Sequence, residues 1–286
     1  MDSMSSPDGP YRQRARVRTA GGARIRLRDD GGTTRLAELW HHDPMRVLMP
    51  AAIGDAIPHV VLLNTAGGLV GGDAVAVRVA LTGAARALVT GQAAEKVYRS
   101  DGPAVEIDNA LSVGDGGWLE WMPQETILFD GCRLRRRLAI DLAGGARCLV
   151  GELVVFGRLA RGERVVQARF FDRWDLRRDG RLVWTDRLGF GFDDAPVLRA
   201  PFGFGDAAAM ATLVHAGPGA AARLADIRAL LGEETGIAAT CMGDMLLVRA
   251  LVADPVPLRR RLAAIWRYLR AEAGGLPPVL PRLWHI

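Results

Sequence analysis

Alternation of apolar and polar side chains organises most of this chain. Val75, Val77, Val79 and Leu81 take every second position of 74–81, the period of a half-buried strand. A turn at 83–86 separates that run from Ala87, Leu88, Val89 and Thr90, which makes one strand–turn–strand unit. Residues 105–111, the turn 114–117 and residues 118–121 form a second. Residues 138–142, the pair Gly144-Gly145 and residues 147–150 form a third. The turn glycines Gly83, Gly114 and Gly144 recur at about thirty residues, a spacing at which stacked units share one core. The expectation is a mainly β chain, a β-solenoid-like layered stack of strand–turn–strand repeats in preference to a closed sandwich.

Further strands are expected at 164–169, at 174–177 and at 181–188, the last two joined by Asp179-Gly180, a strong hairpin signal. The segment 193–206, with Pro196 and Pro201, reads as a boundary. Beyond it the pattern turns to mixed α and β. A strand is expected at 210–215, then a helix over 219–231 with Leu224, Ile227, Leu230 and Leu231 on one face and Gly232 as its stop. Strands follow at 238–241 and 245–252. A last helix opens at Asp254-Pro255, carries Leu258, Leu262, Trp266 and Leu269 at helical spacing, and ends before Gly274. The tail 276–284 holds too much proline for a helix or a central strand. The chain thus divides into a flexible leader (1–15), a β-rich repeat body (16–200) and a smaller α+β part with two helices (201–286), packed on the body as one structural unit.

Composition narrows the classes. With 286 residues and 49% hydrophobic content the chain can bury a full core. The uncharged stretch between Asp55 and Asp73 contains Pro58, His59, Asn64 and four glycines, so no membrane span is expected. The first residues carry serine, proline and arginine without an apolar run, unlike a secretory signal. Three cysteines, Cys132, Cys148 and Cys241, are odd in number and far apart, which suits a reducing cytoplasm. The net charge is +5. The densest basic run, Arg133, Arg135, Arg136 and Arg137, reads as an exposed strand face, with Leu134 and Leu138 opposite Arg135 and Arg137. Without a recognition motif the charge does not point to nucleic acid, and an acidic protein partner is the expected use of the excess.

Candidate chemistry is sparse. Gly67, Gly68, Gly71 and Gly72 lack the spacing of a dinucleotide loop, and a strand follows them where such a loop needs a helix. Lys96 is the sole lysine; Glu95 precedes it and Val97 follows it, so a Walker A loop is excluded. No histidine pair has zincin spacing, no cysteine pair suits a zinc knuckle, and none of the five serines sits in a nucleophile elbow. Carboxylates remain: Asp73 after the glycine turns, Glu125, and Glu152 inside the apolar run 149–156, where an ionised group requires a partner, a metal or water. Stacking of the repeats could bring Glu125 and Glu152 together, and arginine ion pairs are the structural alternative.

In combination, several stretches resemble the UreD family of urease accessory proteins, called UreH in some organisms. They are Gly67-Gly68-Leu69-Val70-Gly71-Gly72-Asp73, the run 95–100 from Glu95 to Ser100, the run 118–130 from Trp118 to Asp130, Gly151-Glu152 with Gly157-Arg158, and the ending 279–284. The resemblance spans nearly the whole chain after about residue 15, with Thr65-Ala66 standing where the family usually shows two prolines. It implies a β-rich helical stack with a few helices, acting as a scaffold chaperone and not as an enzyme. The implied partners are UreF, the GTPase UreG and the urease apoprotein, into which nickel is inserted along with a lysine carbamate derived from carbon dioxide. It implies no tightly bound cofactor and a transient passage of nickel, for which Asp73, Glu125 and Glu152 are the candidate ligands. Weak oxygen ligands suit an ion that must leave again. Two other readings are a β-solenoid carbohydrate-active enzyme using paired carboxylates such as Glu125 and Glu152, and a metal-free β-repeat module that binds proteins.

Overall fold

Two β-sheets face each other, and successive repeats step from one to the other. The computed structural model describes residues 20–50, 57–191, 199–233 and 235–285. The expected leader (1–15) and residues 193–198 of the expected boundary lie outside the described residues. The first sheet contains β1 (Ala20–Asp30), β2 (Thr33–His42), β5 (Ala74–Thr82), β8 (Val105–Val113), β11 (Arg133–Leu142), β13 (Arg169–Arg178) and β14 (Arg181–Phe190). Its order is β14-β13-β11-β8-β5-β1-β2, parallel from β13 to β1 and antiparallel at both edges.

The second sheet contains β3 (Met45–Leu48), β4 (His59–Asn64), β6 (Arg86–Gly91), β9 (Trp118–Met122), β12 (Arg147–Phe156), β15 (Ala209–Ala216), β16 (Ile237–Met242) and β17 (Met245–Val252). Here β4, β6, β9 and β12 run parallel, β3 pairs antiparallel at one side, and β15, β17 and β16 extend the other side antiparallel. Short strands β7 (Glu95–Val97) and β10 (Thr126–Leu128) make a third strip beside it. Each coil is therefore a strand in the first sheet, a glycine turn, a strand in the second sheet and a short third segment. This is the β-solenoid-like stack that the sequence period predicts.

The turns stack as the strands do. Gly114 donates its N–H to Leu81 O at 2.8 Å, Ala143 to Val113 O at 3.0 Å, and Asp179 to Leu142 O at 2.9 Å. A side chain at Gly114 would stand 2.7 Å from the Gly83 backbone, so close stacking requires glycine there. Between the sheets lies one apolar core, to which Val77, Leu111, Leu138 and Trp174 contribute from the first sheet and Trp121 and Val150 from the second. The far side of the second sheet packs on a second core, closed by two helices.

Those helices are α1 (Leu224–Leu231), entered through a 3-10 turn at Ala220–Arg223, and α2 (Pro255–Glu272). Asp254 caps α2 by accepting the Val256 N–H at 2.9 Å, with Pro255 at the first helical position. At the other end Arg86 and Arg147 donate to the carbonyls of Gly274 and Ala273, opposing the negative pole of the helix. Leu258, Leu262, Trp266 and Leu269 face the sheet.

One expected strand is corrected. Residues 164–168 form a loop and β13 begins only at Arg169. Asp130 holds that loop: its Oδ1 accepts the N–H groups of Val166 and Gln167 at 2.8 and 2.9 Å, contacts that replace a ladder.

Candidate functional site

The glycine-rich segment and the run 95–100 lie in successive coils and pack on each other. Leu69 N–H donates to Lys96 O at 2.7 Å and Tyr98 N–H to Leu69 O at 2.9 Å, while the Tyr98 hydroxyl donates to Gly67 O. Gly68 adopts φ 153°, and a side chain there would press on the Tyr98 ring and the Lys96 carbonyl. Gly68 therefore serves close backbone stacking. Thr65 and Ala66 both use their N–H groups, toward Pro44 O at 2.8 Å and Asn64 Oδ1 at 3.0 Å, bonds that proline could not make.

Asn64 links this loop to a cavity. Its Nδ2 donates to both oxygens of Glu95, at 3.0 and 3.1 Å. Glu95 lines a cavity of about 270 Å³ between the two sheets, together with Asn109, Trp121, Arg136 and Glu152. Burial pushes the Glu95 carboxyl up to about 7, against the lowering effect of the Asn64 hydrogen bonds.

At the inner end of the cavity sits a buried charged group drawn from both sheets. The inward column Val75, Ile107, Arg136, Asp172 runs across β5, β8, β11 and β13 and changes from apolar to charged midway. Arg136 grips Asp172 with two bonds, Nε to Oδ1 at 3.0 Å and Nη2 to Oδ2 at 2.5 Å. Its Nη1 reaches Glu152 Oε2 on β12 at 2.5 Å, an ion pair across the sheets. Apart from this ion pair, the buried Glu152 Oε2 has no hydrogen-bond partner among the described residues. Trp121 donates to Glu152 Oε1 and Trp174 to Asp172 Oδ2, each at 3.3 Å.

Two carboxylates thus share one guanidinium. Burial pushes Glu152 above the ordinary carboxylate range; Arg136 works against this and Asp172 adds to it. Burial disfavours the Arg136 charge, but Asp172 and Glu152 outweigh it and raise its pKa.

The three carboxylates singled out from sequence do not converge. Glu152 faces the cavity. Asp73 is buried in the loop, where its Oδ2 accepts the Val70 N–H at 2.9 Å and closes the glycine turn. Glu125 lies on the helix side of the second sheet and pairs with Arg259 at 2.7 Å; it lines a different concavity from the one Glu152 faces. Arg259 also bonds Gln124 and stacks 4.3 Å from the Trp284 ring, so the run 118–130 and the chain ending meet on this arginine. Arg136, Asp172 and Glu95 escaped the sequence reading. The signal was parity: Arg136 shares its face with Leu134 and Leu138, and Asp172 shares its face with Phe170 and Trp174.

Among the described residues no group of three or more His, Cys, Asp or Glu side chains is arranged to hold a metal ion. Cys132 and Cys148 are buried, and burial pushes both thiols up to about 12. No described helix is long and apolar enough to cross a membrane.

A two-sheet solenoid with a polar inner cavity is the class that this fold defines. A profile of the UreD urease accessory protein family matches residues 19–285, and the chain belongs to that family. It is 44% identical to a urease accessory protein UreD of Methylobacterium sp. (strain 4-46), over the whole of both chains. A UreD 1 of Methylobacterium radiotolerans is 43% identical over 95% of this chain and 93% of its own. The UreD of Magnetococcus marinus is 40% identical over 97% of this chain and 98% of its own. The role that goes with the family is an accessory one in urease maturation.

Proposed function

We propose that this chain is a non-catalytic scaffold which, with UreF and the GTPase UreG, helps deliver nickel to the urease apoprotein in the cytoplasm. The observation that carries this reading is the cavity between the sheets, where Glu95 and Glu152 supply oxygen ligands without a closed set of soft donors. Imidazole and thiolate bind nickel tightly, whereas isolated carboxylates exchange it readily. Arg136 can neutralise only one of its two carboxylate neighbours. A divalent cation that displaces a proton from Glu95 or Glu152 gains an oxygen ligand there, and the guanidinium keeps the attraction from becoming a trap. Within this reading Glu152 is the ligand candidate, joined by Glu95. Asp73 and Glu125 anchor the loop and helix α2.

Glu152→Gln tests the proposal, since it keeps shape and removes charge while Arg136 retains Asp172. The expected protein is soluble, associates with its partners and activates urease poorly. Normal activation by a soluble, complex-forming variant would remove Glu152 from the path. Deleting the gene should leave urease as inactive, metal-free protein.

A further inference from the structure

The short strands β7 and β10 separate the inner cavity from a second concavity on the outside of the molecule. This groove, about 770 Å³, runs between the turn Leu159–Arg161 and the first turn of α2. Its floor is apolar, made by Ile127, Phe129, Leu153 and Val155, and Val256 rises from α2 with 54% of its surface exposed.

Of the carboxylates in the groove, Glu125 pairs with Arg259 and Asp254 caps α2, and its cations divide into two kinds. Arg158 and Arg259 are engaged, with Glu163 and Glu125, each at 2.7 Å. Lys96, from β7, and Arg161, from the turn after β12, are exposed, and among the described residues no carboxylate lies within ion-pair reach of either. An apolar floor flanked by two cations that make no ion pair is complementary to apolar side chains accompanied by carboxylates. A polyanion such as RNA would satisfy the cations and leave the floor uncovered.

We infer that this groove docks a segment of a partner protein in which apolar residues are flanked by Asp or Glu, with Lys96 and Arg161 receiving the carboxylates. The inference rests on the accessory-scaffold reading and assigns a surface to it.

The sequence supplies a direct test, because Lys96 is the sole lysine. The full chain is co-produced with the urease apoprotein and the accessory proteins, and the purified complex is treated with a water-soluble carbodiimide. The reagent activates a partner carboxylate, the Lys96 amine displaces it as the urea with loss of a proton, and an amide joins the chains. Mass spectrometry should find Lys96 linked to an Asp or Glu of a partner. In parallel, Lys96→Glu with Arg161→Glu should lower affinity for that partner at least tenfold at unchanged Tm, while Lys96→Arg with Arg161→Lys should keep it. Wild-type affinity in the charge-reversed variant, or an intact complex in which Lys96 acquires no link, would overturn the groove assignment. A wild-type chain that binds none of the urease proteins would refute the scaffold reading instead.

Discussion

Glu120 on β9 and Arg270 on α2 form an ion pair from which water is wholly excluded, with Arg270 Nη1 at 2.6 and 2.7 Å from the two carboxylate oxygens. The indole N–H groups of Trp118 and Trp266 complete the carboxylate, at 2.8 and 2.5 Å. Arg270 Nε also holds the Pro277 carbonyl at 2.9 Å, so one guanidinium fixes sheet, helix and tail together. Removing one member leaves a buried charge without its partner, at a cost of about 3–5 kcal/mol. Arg270→Ala should therefore lower stability by that amount in urea unfolding. Glu120→Leu with Arg270→Met should recover much of the loss, because no charge is then stranded.

Glu95 gives the fold a pH dependence of unusual sign for a carboxylate. Its folded pKa, about 7, lies above the ordinary value of 4.5. Its contribution to stability is complete below about 4.5 and is lost as pH rises through 7, up to roughly 3 kcal/mol. Glu95→Gln should be more stable than the parent at pH 8 and gain little at pH 4.5. Urea midpoints at the two pH values measure the difference.

His215 acts in the opposite direction. Burial lowers it to about 4, and the neutral ring donates Nδ1–H to Cys148 O at 3.0 Å. The folded pKa lies below the ordinary 6.5, so its contribution is present above 6.5 and lost as pH falls toward 4, about 3 kcal/mol in full. Acid unfolding followed by circular dichroism should shift to lower pH in His215→Asn, which cannot become charged.

Gly68→Ala should damage the loop that carries Asn64. The new methyl would stand 2.9 Å from the Lys96 carbonyl and against the Tyr98 ring, at a φ of 153° that favours glycine. A loss of about 1–3 kcal/mol is expected. Thermal denaturation measures it, and Gly67→Ala, whose methyl would meet open space, serves as the comparison for strain at positive φ alone.

Much of this architecture was legible because it is written in local signals. Period-two alternation marked β5, β8 and β11, and the glycines at 83, 114 and 144 marked where the chain changes sheet. Asp179-Gly180 marked the β13–β14 hairpin, and the Asp254-Pro255 cap marked the start of α2. What escaped depends on pairing between distant segments. Residues 164–168 have a strand's composition, but Asp130 captures their N–H groups. In sequence Arg136 reads with its basic neighbours as part of an exposed face. It lies buried, on the face of Leu134 and Leu138, and only the opposing sheet could reveal that Glu152 and Asp172 wait there. Glu125 and Glu152 follow similar apolar runs, and it is the third strip, β10, that turns them to opposite sides of the second sheet.

The antiparallel strands at the margins carry a consequence for size. A run of parallel coils can in principle grow without limit, since each rung offers the next the same template. Here β2 and β14 reverse direction at the two sides of the first sheet, and β3 and β16 do so in the second. A further coil arriving in register would meet a strand running the wrong way. The molecule carries its own full stops, and its length is written into its ends.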